Sequence, residues 1–371
     1  MRKNKAQALV FESSGRAFSL KTYAVVNPDE SHALLSMDRS GVCGTDVHIA
    51  EGRLPLPSGD WILGHELVGK ILELGRGKDS DGLGSRLAVG DTAIACVAIP
   101  CGTCASCLRG ETASCMNFAV TYMRDPKDAP HFFGGFAEVL HSPVANLVKV
   151  PAGLDLDAVA AFPCGGPTVI RAFEYAGGLE KGEFVIVQGT GPLGLFAIAY
   201  AVAGGCKVMA IGSGSNPARN EMARRLGAFE LLDFKQVDKA ARLARVQEIA
   251  KEMKRGNGAD LVIETSGSPD AVPEALDLLR TRGRYVVPGQ YSNSGPVSIQ
   301  PQLITFKALR ITGSGQYTLK DIAAYLDFVK ANPETAKVFA SCVTQYKLAD
   351  WREAFLAAKT GLNVKTVFAK S

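Results

Sequence analysis

Residues 184–194 read FVIVQGTGPLG, an apolar run followed by a turn that contains three glycines. Gly189, Gly191 and Gly194 have the spacing G-x-G-x-x-G, and the stretch Leu193–Ala203 behind them has a helical pattern. Between a strand and a helix, the first glycine permits a tight turn and the second lets a pyrophosphate approach the backbone, while the third lets helix and strand pack closely. The stretch therefore predicts a dinucleotide site. The alternative is a glycine-rich turn that binds nothing.

Strand and helix patterns alternate on both sides of this turn, from residue 164 to about residue 314. The predicted strands are Phe184–Val187, Lys207–Ile211, Glu230–Asp233, Leu261–Glu264, Tyr285–Val287 and Leu309–Thr312. The helices predicted between them include Leu193–Ala203, Pro217–Leu226 and Val237–Arg255. Six strands that alternate with helices indicate an α/β fold, a Rossmann doubly wound parallel sheet.

The two ends of the chain have a different pattern. Residues 1–163 contain short β-type runs separated by Gly, Pro and Asp, which is typical of a compact, mostly β domain. Residues 315–371 return to mixed structure and are expected to rejoin that domain. We therefore predict a catalytic domain formed by 1–163 and 315–371, with a dinucleotide-binding domain, 164–314, inserted between its two parts.

The end of the second predicted strand bears on the choice between NAD and NADP. An acidic residue that binds the adenosine ribose is expected there, but the chain has Gly212 and Ser213, with Arg219 a little further on. A carboxylate would repel a 2′-phosphate, whereas small polar residues and Arg219 accommodate it. The sequence thus favours NADP over NAD, and the alternative for Arg219 is a solvated helix residue.

Four cysteines lie within fifteen residues in the run CGTCASCLRGETASC, at positions Cys101, Cys104, Cys107 and Cys115. The spacing suits four thiolates that converge on one tetrahedral zinc ion. Two disulfides and an iron–sulfur cluster are the alternatives. The other five cysteines are scattered and odd in number, which favours a reducing compartment and hence a cytoplasmic protein.

Composition limits the classes of partner. The chain has 371 residues, 47% of them hydrophobic and 21% charged, and a net charge of +4 without a long basic run. This balance argues against a nucleic-acid partner. We also expect no membrane partner, because no apolar stretch is long enough for a membrane span or a signal peptide core.

Seven motifs occur in an order that is specific to one family. They are GVCGTD (41–46), GHE (64–66), the four-cysteine run, GGFAE (134–138), PCGGPT (163–168), GTGPLG (189–194) and GADLVIETSG (258–267). In this succession the chain resembles, over nearly its whole length, the zinc-dependent alcohol dehydrogenases of the medium-chain dehydrogenase/reductase family. The resemblance implies that the mostly β catalytic domain is GroES-like.

The resemblance also implies a second metal site. By it, Cys43, His65 and Cys164 are the ligands of a catalytic zinc, and Glu66 is a neighbouring carboxylate that can bind the metal when the open position changes. Asp46 is implied as the partner that orients His65. Three protein ligands leave a fourth position for water or alcohol, as catalytic zinc requires.

Further roles follow from the same comparison. Thr45 and His48 match the family's proton relay, Thr168 matches a residue near the nicotinamide, and Lys359 is expected to approach the cofactor diphosphate. The complete set of predicted cofactor contacts is Thr168, Gly189, Gly191, Pro192, Leu193, Gly194, Gly212, Ser213, Arg219 and Lys359.

The implied function is hydride transfer between an alcohol or carbonyl substrate, a small molecule, and a nicotinamide cofactor, with two zincs per chain. The family also suggests a homodimer or homotetramer. Alternatives are a polyol or sugar dehydrogenase, a reductase of activated alkenes, and a non-catalytic nucleotide-binding protein. The metal ligands argue against the alkene reductase, and the relay pair Thr45 and His48 argues against a scaffold.

Two small residues, Cys96 and Val97, lie on the strand that enters the four-cysteine run. Their size predicts a roomier substrate pocket than that of an ethanol-type enzyme. An ordinary strand core is the alternative.

Overall fold

The structure is a computed structural model that describes residues 4–54, 56–77, 79–96 and 98–370, so Val97 lies outside the described residues. The chain divides into two compact units. The first runs to Cys164 and resumes at Tyr317, and the second spans Gly165–Gln316. The boundaries predicted after residues 163 and 314 differ in that Cys164 lies with the first unit and residues 315–316 lie with the second.

The amino-terminal part of the first unit consists of short strands and very short helices. Its strands are β1 (Lys5–Glu12), β2 (Ala17–Ala24), β3 (His32–Gly41), β4 (Asp60–Ile62), β5 (Leu67–Leu74), β6 (Thr92–Ala95), β7 (Ala98–Ile99), β8 (Ala119–Val120), β9 (Val139–Pro143) and β10 (Leu147–Lys149). Its helices are α1 (Gly44–Ala50), α2 (Ala105–Leu108) and α3 (Leu156–Ala161), with 3-10 turns at Thr112–Ser114 and Val144–Asn146.

The second unit alternates strands and helices throughout. Its elements are α4 (Gly165–Tyr175), β11 (Phe184–Gln188), α5 (Pro192–Ala203), β12 (Lys207–Gly212), α6 (Pro217–Arg225), β13 (Glu230–Asp233), α7 (Lys239–Glu252), β14 (Ala259–Glu264), α8 (Ala271–Leu278), β15 (Leu279–Val287), α9 (Pro301–Phe306) and β16 (Arg310–Gly313). The strands pair in parallel in the order β13-β12-β11-β14-β15-β16. This order confirms the predicted doubly wound sheet, whose direction of winding reverses between β11 and β14.

The carboxyl-terminal segment returns to the first unit. It contains α10 (Leu319–Ala331), α11 (Pro333–Ser341), β17 (Val343–Tyr346), a 3-10 turn at Leu348–Asp350, α12 (Trp351–Thr360) and β18 (Lys365–Ala369). Strand β18 pairs antiparallel with β3 and parallel with β17, in a sheet of order β10-β6-β5-β3-β18-β17 to which β9 adds through β3. The last strand of the chain therefore completes a sheet begun near its start.

Each unit has its own hydrophobic core. In the first unit, large buried aromatic side chains include Phe132, Phe136 and Phe368. In the second, all five residues of β11 are buried, as expected for a central parallel strand that is covered on both faces. This burial explains why residues 184–187 of β11 form a continuous apolar run without the alternation of a half-exposed strand.

Candidate functional site

The first candidate metal ligand begins helix α1. Cys43 is the N-cap residue, and its backbone N–H donates to Asp46 Oδ2 at 2.9 Å. The other oxygen of Asp46, Oδ1, lies 3.5 Å from Nδ1 of His65, and Asp46 is only 1% exposed. One buried carboxylate thus fixes the start of α1 and also faces the imidazole, in the position from which such a group orients a ligand.

His65 is reached through a turn that requires glycine. Gly64 has φ +93°, and a Cβ there would lie 2.7 Å from the backbone nitrogen of Phe136. The positive φ and the close approach of the backbone at Phe136 exclude any residue with a Cβ at this position. The motif GHE therefore has a structural as well as a chemical reason for its first letter.

Four potential ligands converge in the first unit. The side-chain ligand atoms of Cys43, His65, Glu66 and Cys164 all lie within 4.8 Å of one another. The hydrogen bond with Cys164 lowers the pKa of Cys43 well below its usual value, and the same bond, with burial, raises that of Cys164. Burial opposes the charged form of His65, but the charges of Asp46 and Cys43 raise its pKa well above normal. Two sulfurs and an imidazole are the donor set that zinc prefers.

Glu66 has a partner that the sequence did not indicate. Lys365 in β18 is 3% exposed and donates from Nζ to Glu66 Oε2, and Glu66 itself is 2% exposed. Burial raises the pKa of Glu66 to about 7, although Lys365 acts against this rise. A Cβ on Gly41 would lie 1.9 Å from Glu66 Oε2, so glycine there makes room for the pair. Only the pairing of β18 with β3 brings Lys365 to this position.

The predicted relay residues lie on α1 beside the cluster. The Thr45 hydroxyl oxygen is 3.8 Å from the Cys43 sulfur. His48 lies in the last turn of α1, where burial and the nearby Arg53 lower the pKa of its imidazole. A lowered pKa favours the neutral ring, which can accept a proton.

The four cysteines of the run 101–115 also converge. Their sulfurs lie within 4.8 Å of one another, with 4.0 Å between Cys101 and Cys107 and 3.9 Å between Cys104 and Cys115. None of the nine cysteines, all of which lie within the described residues, forms a disulfide, so the disulfide alternative is wrong for this structure. Gly102 has φ +73°, which allows the sharp bend between the first two ligands.

The glycine turn of the second unit has the predicted form. It joins β11 to α5, and Gly191 is the N-cap of α5 with Pro192 in the first turn. A Cβ on Gly194 would lie 2.0 Å from the Gly189 carbonyl oxygen, whereas one on Gly191 would meet nothing within 4 Å. Gly194 thus permits close packing of helix and turn, and Gly191 leaves the backbone open to a ligand. Leu193 and Thr168 lie on α5 and α4 of the same unit.

The end of β12 carries the residues expected to contact the adenosine ribose. Gly212 is the last residue of β12, and Ser213 follows directly. Arg219 lies in the first turn of α6, where its backbone N–H donates to Asn216, and burial lowers the pKa of its guanidinium. One cation here was missed: Lys235 Nζ donates to Ser215 Oγ at 3.4 Å. Lys235 lies just beyond β13, where the sequence pattern indicated only a strand end.

Lys359 lies on α12 of the first unit and makes an ion pair with Glu51, with 2.8 Å between Nζ and Oε1. Its predicted approach to the cofactor diphosphate stays a prediction.

In the part of the chain that the structure describes, no helix is both long and apolar enough to cross a membrane.

Two family models match the chain. An alcohol dehydrogenase GroES-like domain matches residues 29–152, and a zinc-binding dehydrogenase domain matches residues 192–331. The four-cysteine cluster lies wholly within the first match and the other candidate metal-binding cluster lies partly within it, while the second match begins inside the glycine turn, at Pro192.

Individual proteins extend the likeness over most of the chain. A 5-exo-hydroxycamphor dehydrogenase from Pseudomonas putida is 33% identical over 295 residues, 78% of each chain. An acryloyl-coenzyme A reductase from Sulfurisphaera tokodaii is 29% identical over 316 residues, 85% of this chain and 86% of the relative. The crystal structure of an alcohol dehydrogenase from Thermotoga maritima has a TM-score of 0.90 at 27% identity, and the match covers 99% of this chain and 100% of that one.

Proposed function

The chain belongs to the zinc-binding alcohol dehydrogenases of the medium-chain dehydrogenase/reductase family, and from this premise we propose a specific site for its chemistry. The protein is an oxidoreductase that transfers hydride between an alcohol or carbonyl substrate and a nicotinamide cofactor. Cys43, His65 and Cys164 bind the catalytic zinc. The single observation that carries this proposal is the convergence of their ligand atoms within 4.8 Å.

The donor set fits zinc in number, type and spacing. The ligand atoms of a tetrahedral zinc with sulfur and nitrogen ligands lie roughly 3.3–3.8 Å apart. Small side-chain movements bring a cluster within 4.8 Å to that spacing. The chemistry that a bound zinc supplies is Lewis acidity, which favours an alkoxide over its alcohol and polarises a carbonyl.

The protein's own residues orient this centre and move the proton. Asp46 orients the imidazole of His65, since its Oδ1 lies 3.5 Å from Nδ1 of the ring. Lys365 neutralises Glu66 and keeps its carboxylate beside the sulfurs. The Thr45 hydroxyl accepts the substrate's proton and passes one on to the neutral imidazole of His48, which lies one helical turn further along α1.

The second candidate function is reduction of an activated alkene, which the acryloyl-coenzyme A reductase among the relatives favours. The cluster of Cys43, His65 and Cys164 supports the alcohol dehydrogenase instead, because a Lewis acid acts directly on an alcohol or carbonyl oxygen. A polyol or sugar substrate fits the same site, and its chemistry at the reacting carbon is identical.

For the cofactor we propose NADP in preference to NAD. Gly212 and Ser213 contribute no carboxylate of their own, although Asp233 of β13 pairs with Gly212. Two cations lie close by in the chain, Arg219 in the first turn of α6 and Lys235 after β13. Fluorescence titration with NADPH and NADH tests this choice. We expect tighter binding of NADPH, and a marked preference for NADH would contradict it.

We further propose a second, structural zinc at Cys101, Cys104, Cys107 and Cys115, and a cytoplasmic location in which these thiols stay reduced.

For the oligomer we propose at least a dimer formed through the edge strand β16. Ile311 on this strand is 46% exposed and Phe306 on the preceding helix is 80% exposed. Sedimentation of the purified protein would detect the dimer, and a monomer at micromolar concentration would contradict it.

A panel of primary and secondary alcohols, polyols, aldehydes and ketones, followed by nicotinamide absorbance, tests the main proposal. We expect oxidation of at least one alcohol or reduction of its carbonyl. Reduction of unsaturated thioesters without any turnover of alcohols or carbonyls would favour the alkene reductase. Cofactor binding without turnover of either class would indicate a non-catalytic protein.

A further inference from the structure

We propose that Glu264 is a positioning residue for the cofactor: its buried carboxylate joins the turns after β14 and β15 into one preformed wall of the dinucleotide site. The proposal deepens the proposed function and rests on it. Glu264 is the last residue of β14 and is 0% exposed. A carboxylate buried this completely needs hydrogen-bond donors, and those donors show what it holds together.

One oxygen of Glu264 organises the turn that follows its own strand. Oε1 accepts hydrogen bonds from the backbone N–H and the hydroxyl of Ser266, both at 2.6 Å, and from the backbone N–H of Gly267 at 2.9 Å. Three donors on one carboxylate oxygen fix the path of residues 265–267. Bonds to an ionised acceptor are about twice as strong as bonds between neutral groups.

The other oxygen of Glu264 contacts the turn that follows β15. Oε2 accepts from Nε2 of Gln290 at 3.3 Å, and the same nitrogen donates to the Ser268 carbonyl at 2.9 Å. The backbone N–H of Gly289 donates to the Glu264 carbonyl at 3.0 Å. A Cβ on Gly289 would lie 2.4 Å from Oε2, so the turn can approach the carboxylate only because it has a glycine there.

A third contact connects this wall to the glycine turn. Thr265, next to Glu264, donates from its hydroxyl to the Gln188 carbonyl at 2.7 Å, and a Cβ on Gly194 would lie 2.8 Å from that hydroxyl. Gln188 is the last residue of β11 and precedes the glycine turn directly. The turns after three neighbouring strands, β11, β14 and β15, are therefore connected through residues 264 and 265.

The position in the sheet relates this connection to the cofactor. In an open parallel sheet, ligands bind outside the carboxyl ends of the strands, where the winding reverses, which here is between β11 and β14. The half of the sheet with β12 and β13 receives the adenosine, so the half with β14 and β15 receives the nicotinamide. Glu264 holds the turns of this second half, and its own oxygens are already occupied by the protein.

The test compares two buried carboxylates of the same strand. Glu264→Gln keeps the side-chain volume but places an amide NH₂ against the NH₂ of Gln290, so the two turns separate. Asp260→Asn is the matched control, because Asp260 is 1% exposed on β14 but lies toward its amino end, where it accepts from the Phe184 backbone N–H at 2.7 Å. Dissociation constants for NADPH and NADH, the zinc content and the melting temperature are measured on the full-length protein.

We expect Glu264→Gln to weaken binding of the preferred reduced cofactor by about tenfold, and Asp260→Asn to change it less than twofold. Both variants are expected to melt at lower temperature and to keep the zinc content of the unsubstituted protein. Equal cofactor affinity in the two variants would overturn the proposal and leave Glu264 a purely structural residue.

A second variant tests the same connection without a buried substitution. Gln290→Leu removes only the link between the two turns, and we expect about a threefold loss of cofactor affinity. Unchanged affinity would contradict the proposal even if Glu264→Gln failed to fold. A protein that binds neither NADPH nor NADH before substitution would instead refute the proposed function itself.

Discussion

The two candidate metal-binding clusters of the first unit are built in opposite ways. The run 101–115 supplies four ligands from fifteen consecutive residues, and three of its cysteines are partly exposed. The cluster of Cys43, His65, Glu66 and Cys164 draws on residues up to 121 positions apart (43 to 164), and its His65 and Glu66 are buried. The local cluster is a short loop closed on itself. The dispersed cluster exists only when the surrounding sheet and helices are folded.

This difference suits the local cluster to stabilising the fold and the dispersed cluster to catalysis. Zinc binding to a local loop contributes folding free energy directly, because the loop has little else to hold its shape. A dispersed site is shaped by the fold around it, so its residues can be matched to catalysis. Substitution of a ligand in the dispersed cluster should therefore lower turnover, whereas substitution of a ligand in the local cluster should lower the free energy of unfolding.

The largest effect is expected at the dispersed cluster. Cys43→Ala removes a proposed ligand of the catalytic zinc and should lower kcat/KM by on the order of 10³-fold or more, because a Lewis acid contributes several kcal/mol to the transition state. Steady-state kinetics measures the loss, and metal analysis should find one zinc per chain instead of two. Unchanged turnover would show that Cys43 is not a ligand.

The ion pair between Lys365 and Glu66 of the dispersed cluster should give the next largest effect, which is on stability. Lys365→Met leaves Glu66 buried without its cation, and we expect about 3 kcal/mol less free energy of unfolding. Chemical denaturation measures the change. The double variant Glu66→Gln/Lys365→Met is the control, because it removes both charges and should recover part of the loss. A single variant as stable as the original chain would contradict the importance of the pair.

The local cluster should respond in stability with its catalysis preserved. Cys104→Ser is expected to release one zinc and to lower the free energy of unfolding by about 2 kcal/mol. The folded fraction should retain its turnover number at 25 °C. Ser106→Ala, within the same loop but not at a ligand position, should keep both zincs. If Cys104→Ser abolished turnover in the folded protein, the separation between the two clusters would fail.

The smallest effect is expected at a cysteine outside both clusters. Burial raises the pKa of Cys206 to about 11, so at pH 8 its thiol stays protonated and should resist iodoacetamide. Cys206→Ala should keep both zincs and full activity, at a loss of about 1 kcal/mol of stability. Because a raised thiol pKa favours the protonated form in the folded state, this residue's contribution falls as pH rises from 9 toward 11. Rapid alkylation at pH 8 would contradict the assignment.

Local patterns in the sequence predicted the second unit well. The strand Glu230–Asp233 has the predicted bounds, and the helix predicted over Val237–Arg255 is observed as Lys239–Glu252. It starts later because the Asp238 side chain caps it by accepting from the Ala241 backbone N–H at 2.8 Å. Strand β15 begins at Leu279, earlier than the predicted Tyr285. The prediction missed its first half, LRTRG, because that segment is largely polar and lacks a strand pattern.

Long-range pairing limits what the sequence predicts. Asp260 is an example within the second unit: it pairs with Arg280 at 2.6 Å, which lets a charged residue belong to a buried strand that was predicted to begin only at Leu261. Lys365 is an example at the site, because nothing near Glu66 in the chain indicates a cation 299 residues away. Each proposed ligand lies in a short motif that is recognisable by itself, but residues such as Lys365 that contact these ligands are brought there by strand pairing.

The position of Lys365 in the last strand also affects the order in which the protein matures. During synthesis Glu66 leaves the ribosome long before its cation exists, so the growing chain must keep this carboxyl group in water or protonated. Lys365 follows Glu66 by 299 residues, and only when β18 has been synthesised can it pair with β3 and bring the ammonium group to the carboxylate. A polypeptide that ended before Lys365 would contain every proposed zinc ligand but would leave Glu66 without its cation.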